Sequence, residues 1–262
     1  MSFLVMDVGN SRLKWGLYDQ PRPHAVLLAH GVVALEAVDS LFETTWRHQP
    51  RPQMMLGCFV ASEAVRARVE EQLAAWGVSP RWVKSQPRMA GLTNTYAHPY
   101  QLGADRWLAM IGALHRTHPD LPQISSPVAT HPLVVVMVGT AVTIDAVDDR
   151  QHFIGGLILP GFGLMLRALE LGTAGLRVPS GEVRDFPDNT SDALMSGGSD
   201  AIAGAVERMW RRLQQRTARP PVLIISGGAA PKLASSLHLP HELVDTLIFE
   251  GLLHAQGELS HA

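Results

Sequence analysis

Cysteine and long apolar runs are both scarce in this sequence, and each absence excludes a class of protein. Cys58 is the single cysteine, which excludes an internal disulfide and a zinc site built from several cysteines. It lies in the apolar run 54–60, where a buried strand thiol is expected rather than a nucleophile. No apolar run approaches about 18 residues and the first residues carry no charged leader, so we expect no membrane contact and a cytoplasmic location.

Several sequence motifs of catalysis and binding are absent as well. There is no G-x-x-x-x-G-K-[ST] loop, no G-x-G-x-x-G loop that opens a helix after a strand, and no G-x-S-x-G elbow. The 12 histidines show no His-x-x-x-His or His-Glu-x-x-His spacing, which argues against a histidine metal site. The formal net charge of −2 argues against binding to nucleic acid. If the chain binds a nucleotide, another kind of loop must hold it.

The sequence does contain the alternation of strands and helices that is typical of α/β proteins. With 46% hydrophobic residues, the chain is able to bury a substantial core without disulfides or metals. Apolar runs predict strands over 3–8, 13–17, 54–60, 81–83, 133–138, 142–147, 153–159 and 222–226. Helical spacing predicts helices over 62–76, after Gly103-Ala104-Asp105-Arg106 to about Thr117, and over 162–171. It also predicts a long helical segment capped by Thr190 or Ser191 and interrupted at Gly197-Gly198. This order predicts mixed sheets with helical crossovers.

A proline-rich segment divides the chain near its middle. Prolines stand at positions 119, 122, 127 and 132 with two serines between them, so a helix cannot continue there. We therefore predict two domains, residues 1–118 and residues 119–262.

One turn pattern occurs once in each half. The strand that ends in Asp7-Val8 runs into Gly9-Asn10-Ser11, and the strand that ends at Val138 runs into Gly139-Thr140, at an offset of 130 residues between the two glycines. Such turns can present backbone N–H groups and hydroxyls to phosphate oxygens. Asp7 and Asn10 could instead only satisfy turn amides, but the repetition favours phosphate binding. Two equivalent turns are what a nucleotide kinase with duplicated domains would need.

Further candidates lie at glycine-containing turns. Asp105 and Arg106 follow Gly103-Ala104 at a helix start, where the N-terminal amides favour anions. Asp105 could also be an ordinary helix cap, and Arg106 could clamp a carboxylate or lie on the surface. At Ser226-Gly227-Gly228, the bare backbone would let a base or ribose approach closely.

Taken together, these segments resemble the type III pantothenate kinases, which belong to the superfamily of acetate kinases, sugar kinases, Hsp70 and actin. The resemblance spans nearly the whole chain. It rests on the order and spacing of Asp7-Val8-Gly9-Asn10-Ser11-x-x-Lys14, Tyr96, Gly103-Ala104-Asp105-Arg106-Trp107, Gly139-Thr140-Ala141-x-Thr143-x-Asp145, Gly155-Gly156-x-Ile158-x-Pro160-Gly161, and Asn189-Thr190 followed by Met195-Ser196-Gly197.

The resemblance implies a fold, a reaction and a set of partners. The fold would be α/β, with two duplicated RNase H-like (actin-like ATPase) domains, mixed sheets and a central cleft. The reaction would be the ATP-dependent phosphorylation of pantothenate, the first step of coenzyme A biosynthesis. The resemblance also implies Mg²⁺ as cofactor and a homodimer.

Individual roles follow from the same resemblance. ATP would be bound by Asp7, Val8, Gly9, Asn10, Ser11, Arg12, Leu13, Lys14 and Thr140, with Asp7 orienting a hydrated Mg²⁺. Pantothenate would be bound by Tyr96, Gly103, Ala104, Asp105, Arg106 and Thr190, the last from the neighbouring subunit. Arg106 would face the pantothenate carboxylate and Asp105 would be the general base, while Tyr100 is an alternative to Tyr96.

One position departs from the family pattern. The family usually has Asp two residues before the Gly-Thr turn, where it helps to bind a monovalent cation, but this chain has Met137. A neutral thioether cannot replace a carboxylate oxygen as a ligand for K⁺. We therefore predict that the K⁺ or NH₄⁺ site is weakened, relocated or absent.

Other functions remain open from the sequence. A related kinase would keep the phosphate turns but act on another small hydroxyl acceptor. A non-enzymatic regulatory protein is also open, since some members of the family were first described as accessory factors for transcription.

Overall fold

The computed structural model describes residues 2–121, 129–173, 176 and 179–259, which form two compact units. The first unit comprises Met1–Ser126 together with Thr246–Ala262, and the second comprises Pro127–Asp245. Each unit is an α/β structure built around a mixed sheet, as the sequence predicts. The proline-rich segment at 119–132, which was predicted to connect the two domains, lies partly outside the described residues.

The first unit contains a five-stranded sheet, a small hairpin and flanking helices. Its elements are β1 (Phe3–Val8), β2 (Arg12–Tyr18), β3 (Leu27–Ala34), α1 (Leu41–Thr44), β4 (Met54–Phe59), α2 (Glu63–Ala74), β5 (Arg81–Val83), β6 (Arg88–Met89), β7 (Leu92–Asn94) and α3 (Ala104–Thr117), with short 3₁₀ turns at Leu35–Ser40, Trp46–His48 and Pro99–Gln101. The five strands are ordered β3-β2-β1-β4-β5. Strand β1 is antiparallel to β2 and parallel to β4, because a short turn joins the first pair and a long crossover joins the second.

Side chains of β1 alternate between the two faces of this sheet. Leu4, Met6 and Val8 pack into one core cluster with Trp46 and Leu73. The residues between them, which include Asp7, therefore point to the opposite face.

The last helix of the chain, Leu247–Leu259, also belongs to the first unit. It packs on α3 through two glycines: a Cβ on Gly112 would clash with the carbonyl oxygen of Leu247, and a Cβ on Gly251 would clash with that of Leu108. The two backbones approach closely because neither glycine carries a side chain. The prediction that residues 119–262 form one domain was therefore wrong for this helix, whose contact with α3 is too distant in sequence to be visible in local patterns.

The second unit repeats the strand order of the first. Its elements are β8 (Leu133–Val138), β9 (Ala141–Val147), β10 (His152–Pro160), α4 (Phe162–Gly172), α5 (Thr190–Thr217), β11 (Val222–Ser226), α6 (Ala230–Ala234) and β12 (Glu242–Leu243), and the C-terminal helix of the first unit is α7. Within the unit the strands follow the order β10-β9-β8-β11-β12. As in the first unit, the leading strand β8 is antiparallel to the next strand and parallel to the fourth. The predicted duplication is thus visible in the topology.

Helix α5 differs from the prediction in two respects. Its N-cap is Asn189, whose side chain accepts a hydrogen bond from the backbone N–H of Asp192, rather than Thr190 or Ser191. It also continues without a break through Gly197-Gly198 for 28 residues. Two glycines cost a helix roughly 2 kcal/mol, but residues such as Ile202 and Val206 are fully buried against the sheet, and this tertiary packing outweighs that cost.

None of the helices in the described part of the chain is both long and apolar enough to span a bilayer.

Two histidines between α3 and α7 make the first unit sensitive to acid. The rings of His115 and His254 stack with their centroids 3.9 Å apart, and the His254 ring also meets that of His24 edge-on. Burial, together with the two neighbouring histidines, lowers the pKa of His254 to about 3. Burial also lowers the pKa of His115, against the opposing effect of its contact with the carbonyl of Ala90.

We expect the free energy of unfolding to fall as the pH drops below the unfolded-state value of these histidines, 6.5. The unfolded chain then binds protons that the folded chain excludes, which costs up to about 1.4 kcal/mol per pH unit for each histidine. The variant His254→Phe should flatten the dependence of urea unfolding on pH between 6.5 and 5. Replacement of the exposed His238 by Phe is the control, and an equal flattening in that variant would contradict the assignment.

Candidate active site

The first turn offers backbone amides and three exposed side chains. The N–H of Gly9 donates to the carbonyl of Arg12 over 3.0 Å and closes the turn between β1 and β2. Asn10, Ser11 and Arg12 are exposed. The side chains of Val8 and Leu13 are fully buried in the core, so only their main chains are available to a ligand.

Asp7 precedes this turn and is a buried carboxylate. Only 8% of its surface is exposed, and it lies directly opposite Lys14 across the β1–β2 ladder. The pKa of Asp7 is raised to about 6 in total: burial raises it most, Lys14 lowers it, the charge of Asp105 raises it and a hydrogen bond from Cys58 lowers it. The charge of Asp105 therefore acts on Asp7.

Asp105 lies in the first turn of α3, two residues after the N-cap Gly103. Its side chain folds back toward that glycine, and a Cβ on Gly103 would lie 2.5 Å from Oδ1 of Asp105. That oxygen accepts a hydrogen bond from the backbone N–H of Arg106 at 2.8 Å. Burial raises the pKa of Asp105, while the N–H and the charge of Arg106 lower it. Asp105 thus accepts a hydrogen bond from a local amide, and its charge also acts on Asp7.

Arg106 is buried, which rules out the alternative that it lies on the surface. It is 6% exposed, and its Nη2 donates to the hydroxyl oxygen of Tyr96 over 3.5 Å. Tyr100, by contrast, is 73% exposed. The contact with Arg106 favours Tyr96 over Tyr100 as the aromatic residue of the site.

The loop that carries Tyr96 is tied down by two polar side chains. The hydroxyl of Ser85 donates to the carbonyls of Pro99 and Leu102 at 2.9 and 2.7 Å. The side chain of Asn94 donates to Pro99 O at 3.0 Å and accepts from the N–H of Tyr96 at 3.1 Å. These bonds fix the loop from β7 to α3 and so hold Tyr96 beside Arg106.

In the second unit, the turn between β8 and β9 is also closed by a glycine N–H, but it is one residue shorter than the first turn. The N–H of Gly139 donates to the carbonyl of Ala141 over 3.0 Å, and Thr140 is exposed. Gly161 packs directly on this turn, and its N–H donates to the carbonyl of Thr140 at 2.9 Å. A Cβ at position 161 would collide with the backbone of the turn. Glycine at this position therefore lets the Pro160-Gly161 segment pack directly against the turn.

Gly227 also packs on the end of β8. Its φ is +107°, and a Cβ there would clash with the backbone of Val138. Within Ser226-Gly227-Gly228, the missing side chain of Gly227 is therefore needed for packing within the protein. The approach of a base or ribose to this segment stays a prediction.

Met137 occupies in the second unit the position that Asp7 occupies in the first. Each residue stands two positions before the glycine of its turn. Across the sheet, Met137 lies opposite Thr143 on β9 and Ser226 on β11. The Oγ1 atom of Thr143 is buried and has no hydrogen-bond partner within the described residues.

Thr190 is exposed in the first turn of α5, in the second unit. The segment before it is fastened to the helix by Asp192, whose carboxylate accepts from the backbone N–H of Glu182 at 2.8 Å and from Nε of Arg184 at 2.9 Å. These bonds lower the pKa of Asp192. The same bonds hold the segment before Thr190 against the start of α5.

Sequence patterns did not reveal the contact between Cys58 and Asp7. The thiol lies 3.4 Å from Oδ1 of Asp7, because the two residues are paired in the parallel β1–β4 ladder. The register of two parallel strands joined by a long crossover is not encoded in either strand alone. No group of three or more His, Cys, Asp or Glu side chains that could hold a metal occurs in the part of the chain described.

Comparison with known proteins places the chain in one family. The family model for type III pantothenate kinase matches residues 3–212. A type III pantothenate kinase from Leptothrix cholodnii is 60% identical over 258 residues, which cover 98% of this chain and 97% of the relative. One from Dechloromonas aromatica is 40% identical over 251 residues, covering 96% and 97%.

Solved structures show the same fold at low identity. A conserved Baf family protein from Campylobacter jejuni, described as a transcriptional activator, has a TM-score of 0.57 at 20% identity and covers 99% of this chain and 100% of its own. The ethanolamine utilization protein EutJ from Carboxydothermus hydrogenoformans has a TM-score of 0.53 at 10% identity, covering 98% and 89%. The predicted α/β fold, with two similar domains that are each built on a mixed sheet, is confirmed. By its family match and by relatives that are alike over nearly their whole length, the chain belongs to the type III pantothenate kinases.

Proposed function

We propose that this chain phosphorylates pantothenate with ATP through the carboxylate pair Asp7 and Asp105. Membership of the family establishes the reaction class, the kinase activity and the two substrates. The observation that carries the assignment of residues is that the buried Asp7, the half-buried Asp105 and the buried Arg106 occur together with pKa values of both carboxylates raised by desolvation. Buried ionisable groups with perturbed pKa values are typical of catalytic sites.

Arg106 is proposed to bind the carboxylate of pantothenate. A guanidinium matches a carboxylate in a two-point hydrogen bond, and the contact with Tyr96 holds its Nη2 end in place. Gly103 and Ala104 would supply main-chain contacts, and Thr190 would complete the pantothenate site.

Asp105 is proposed to be the general base. Phosphoryl transfer requires mostly positioning and charge neutralisation, with removal of the hydroxyl proton as the bond forms. Burial raises the pKa of Asp105 and makes it a better proton acceptor than an exposed aspartate. The hydrogen bond from the N–H of Arg106 leaves the second carboxylate oxygen for the substrate hydroxyl.

Asp7 fits a site for a divalent cation. Its carboxylate is hard, buried and raised in pKa, so a cation would relieve the unfavourable burial of its charge. When bound, Mg²⁺ would neutralise the charge that develops on the phosphoryl oxygens. Asp7 would orient the water shell of the ion, while Gly9 to Lys14 and Thr140 would contact phosphate oxygens of ATP.

We also propose that the chain is a cytoplasmic homodimer. Exposed apolar side chains occur on α4 and on the segment before α5, where Leu171 is 82% and Phe186 93% exposed. A cavity of about 380 Å³ between α4 and α5 is lined almost wholly by apolar side chains. A second copy would cover such a surface.

We expect a mass of two chains in sedimentation experiments at micromolar concentration, because the apolar surface on α4 and α5 favours association. Leu171→Glu should shift the mass toward one chain, whereas the exposed control Arg211→Glu on the far part of α5 should not. A single-chain mass for the unaltered protein would contradict the dimer.

The central prediction concerns Asp105. Purified protein should release ADP from MgATP only when pantothenate is present, and other hydroxyl acceptors should not replace it. Asp105→Asn should retain ATP binding but lose roughly 10²- to 10⁴-fold in kcat, because an amide cannot accept the proton.

The exposed Asp120, just beyond α3, offers a matched control: Asp120→Asn should be fully active. Near-normal turnover of Asp105→Asn would remove the residue from the role of base. Activity with another acceptor but not with pantothenate would overturn the proposed substrate instead.

A third prediction concerns the monovalent cation. Since Met137 provides no hard oxygen, we expect the same rate in potassium as in sodium. Met137→Asp should introduce activation by potassium, because the new carboxylate would lie between Thr143 and Ser226 and give the unpartnered Thr143 hydroxyl an acceptor. Met137→Leu controls for the loss of the thioether. A steep potassium requirement in the unaltered enzyme would contradict the prediction.

A further inference from the structure

Ser85 connects the loop that carries Tyr96 to the start of α3. It follows β5, the edge strand of the five-stranded sheet, and it is only 1% exposed. Its hydroxyl is bonded to the carbonyl oxygens of Pro99 and Leu102, at 2.9 and 2.7 Å. A serine hydroxyl carries one hydrogen, so the two carbonyls share a single donor. Both are therefore held at one point of the first unit.

The two carbonyls belong to different parts of the proposed pantothenate site. Pro99 lies three residues after Tyr96, and its carbonyl also accepts from the side chain of Asn94, which in turn accepts from the N–H of Tyr96. Leu102, by contrast, directly precedes the N-cap glycine of α3. The serine hydroxyl therefore sets the spacing between the loop on one side and the first turn of the helix on the other.

This spacing decides whether Arg106 can reach Tyr96. The Nη2 atom of Arg106 lies 3.5 Å from the hydroxyl oxygen of Tyr96, which is the outer limit of a hydrogen bond. Arg106 stands in the first turn of α3, four residues after Leu102. A small displacement of the helix start away from the loop would therefore break this contact.

We propose that Ser85 is a positioning residue for pantothenate binding, whose hydroxyl fixes the first turn of α3 against the loop and so holds Arg106 and Tyr96 at the spacing that the pantothenate carboxylate requires. This inference rests on the proposed function, which gives Arg106 and Tyr96 their roles. Ser85 itself is buried and acts through the two backbone carbonyls.

The test compares variants that remove or keep the donor. Ser85→Ala removes the hydroxyl with little change of volume, and Ser85→Thr keeps it. Thr117 offers a matched control at the other end of the same helix, because its hydroxyl also donates to a backbone carbonyl, that of Ala113, at 2.8 Å. Thr117→Ala should therefore remove a bond of the same kind away from the proposed site.

Ser85→Ala should raise both the KM for pantothenate and its Kd from calorimetry about 3- to 10-fold, the effect of one lost neutral hydrogen bond. The KM for ATP and kcat should stay nearly unchanged. The turns at Gly9 and Gly139 are closed by their own backbone bonds, and the carboxylate of Asp105 keeps its bond from the backbone N–H of Arg106. Ser85→Thr should lie close to the unaltered enzyme.

Amide hydrogen exchange reports on the same connection without any turnover. The N–H groups of Tyr96 and Leu102 are bonded within the loop, and that of Trp107 is bonded in the first turn of α3. Exchange at these three positions should be faster in Ser85→Ala, because the loop and the helix start would open locally. In the control variant, faster exchange should be confined to the far end of the helix.

Three outcomes would overturn the inference. One is an unchanged affinity for pantothenate in Ser85→Ala. Another is a threonine variant that binds pantothenate as weakly as the alanine variant, because the donor would then not be the cause. The third is an equal loss of affinity in Thr117→Ala, because the loss of any such bond on α3 would then be sufficient.

These measurements separate the inference from the proposed function. If the unaltered protein neither bound pantothenate nor formed ADP with it, the proposed substrate would fall, and with it the role of Ser85 in binding that substrate. Faster amide exchange in Ser85→Ala would then still establish the connection between loop and helix. If the unaltered protein formed ADP normally and Ser85→Ala bound pantothenate equally well, only the role of Ser85 would fall.

Discussion

The burial of the Asp7 carboxylate, within reach of the charge of the half-buried Asp105, is the constraint on which the candidate site depends. The pKa of Asp7 rises to about 6 in the folded chain, so its ionised form destabilises the fold as the pH rises from its ordinary value, 3.8, to 6. At neutral pH this cost is about 3 kcal/mol, a large part of the stability of an ordinary domain. Two neighbours reduce that cost, because Lys14 on β2 and the thiol of Cys58 on β4 both lower the pKa of Asp7. A carboxylate held in this way is ready for a cation, because binding one removes the very charge that the fold opposes.

The two units share a strand order but carry different chemistry at equivalent positions. In the first, the residue before the turn is a carboxylate between Lys14 and Cys58. In the second, it is a thioether between Thr143 and Ser226. A glycine N–H closes both turns over 3.0 Å, but it donates to the third residue after it in the first turn and to the second residue after it in the second. Duplication has thus preserved a glycine-closed turn at the end of the leading strand, while the length of the turn and the neighbouring side chains have diverged.

Local features could be predicted from the sequence, and features that depend on distant contacts could not. The turns at Gly9 and Gly139 and the start of α3 at Gly103 are determined by short segments, and the structure has them where the patterns place them. The continuity of α5 through Gly197-Gly198 depends on packing against the sheet, which overrides helix propensity. The pairing of Cys58 with Asp7 depends on the register of strands about 50 residues apart, which no local pattern records. The family resemblance supplied the proposed roles of Arg106 and Tyr96, whereas the structure supplied the burial of Arg106 and its contact with Tyr96.

The glycine-mediated contact between α3 and α7 has a consequence for how the chain acquires its structure. Residues 104–117 and 247–259 are separated by the whole second unit, so the first unit is discontinuous along the chain. During synthesis, the ribosome would release all of the second unit before α3 could meet the helix that covers it. Contacts of such high sequence separation slow folding. The helix that carries the proposed general base is therefore among the last parts of the protein to reach its final environment.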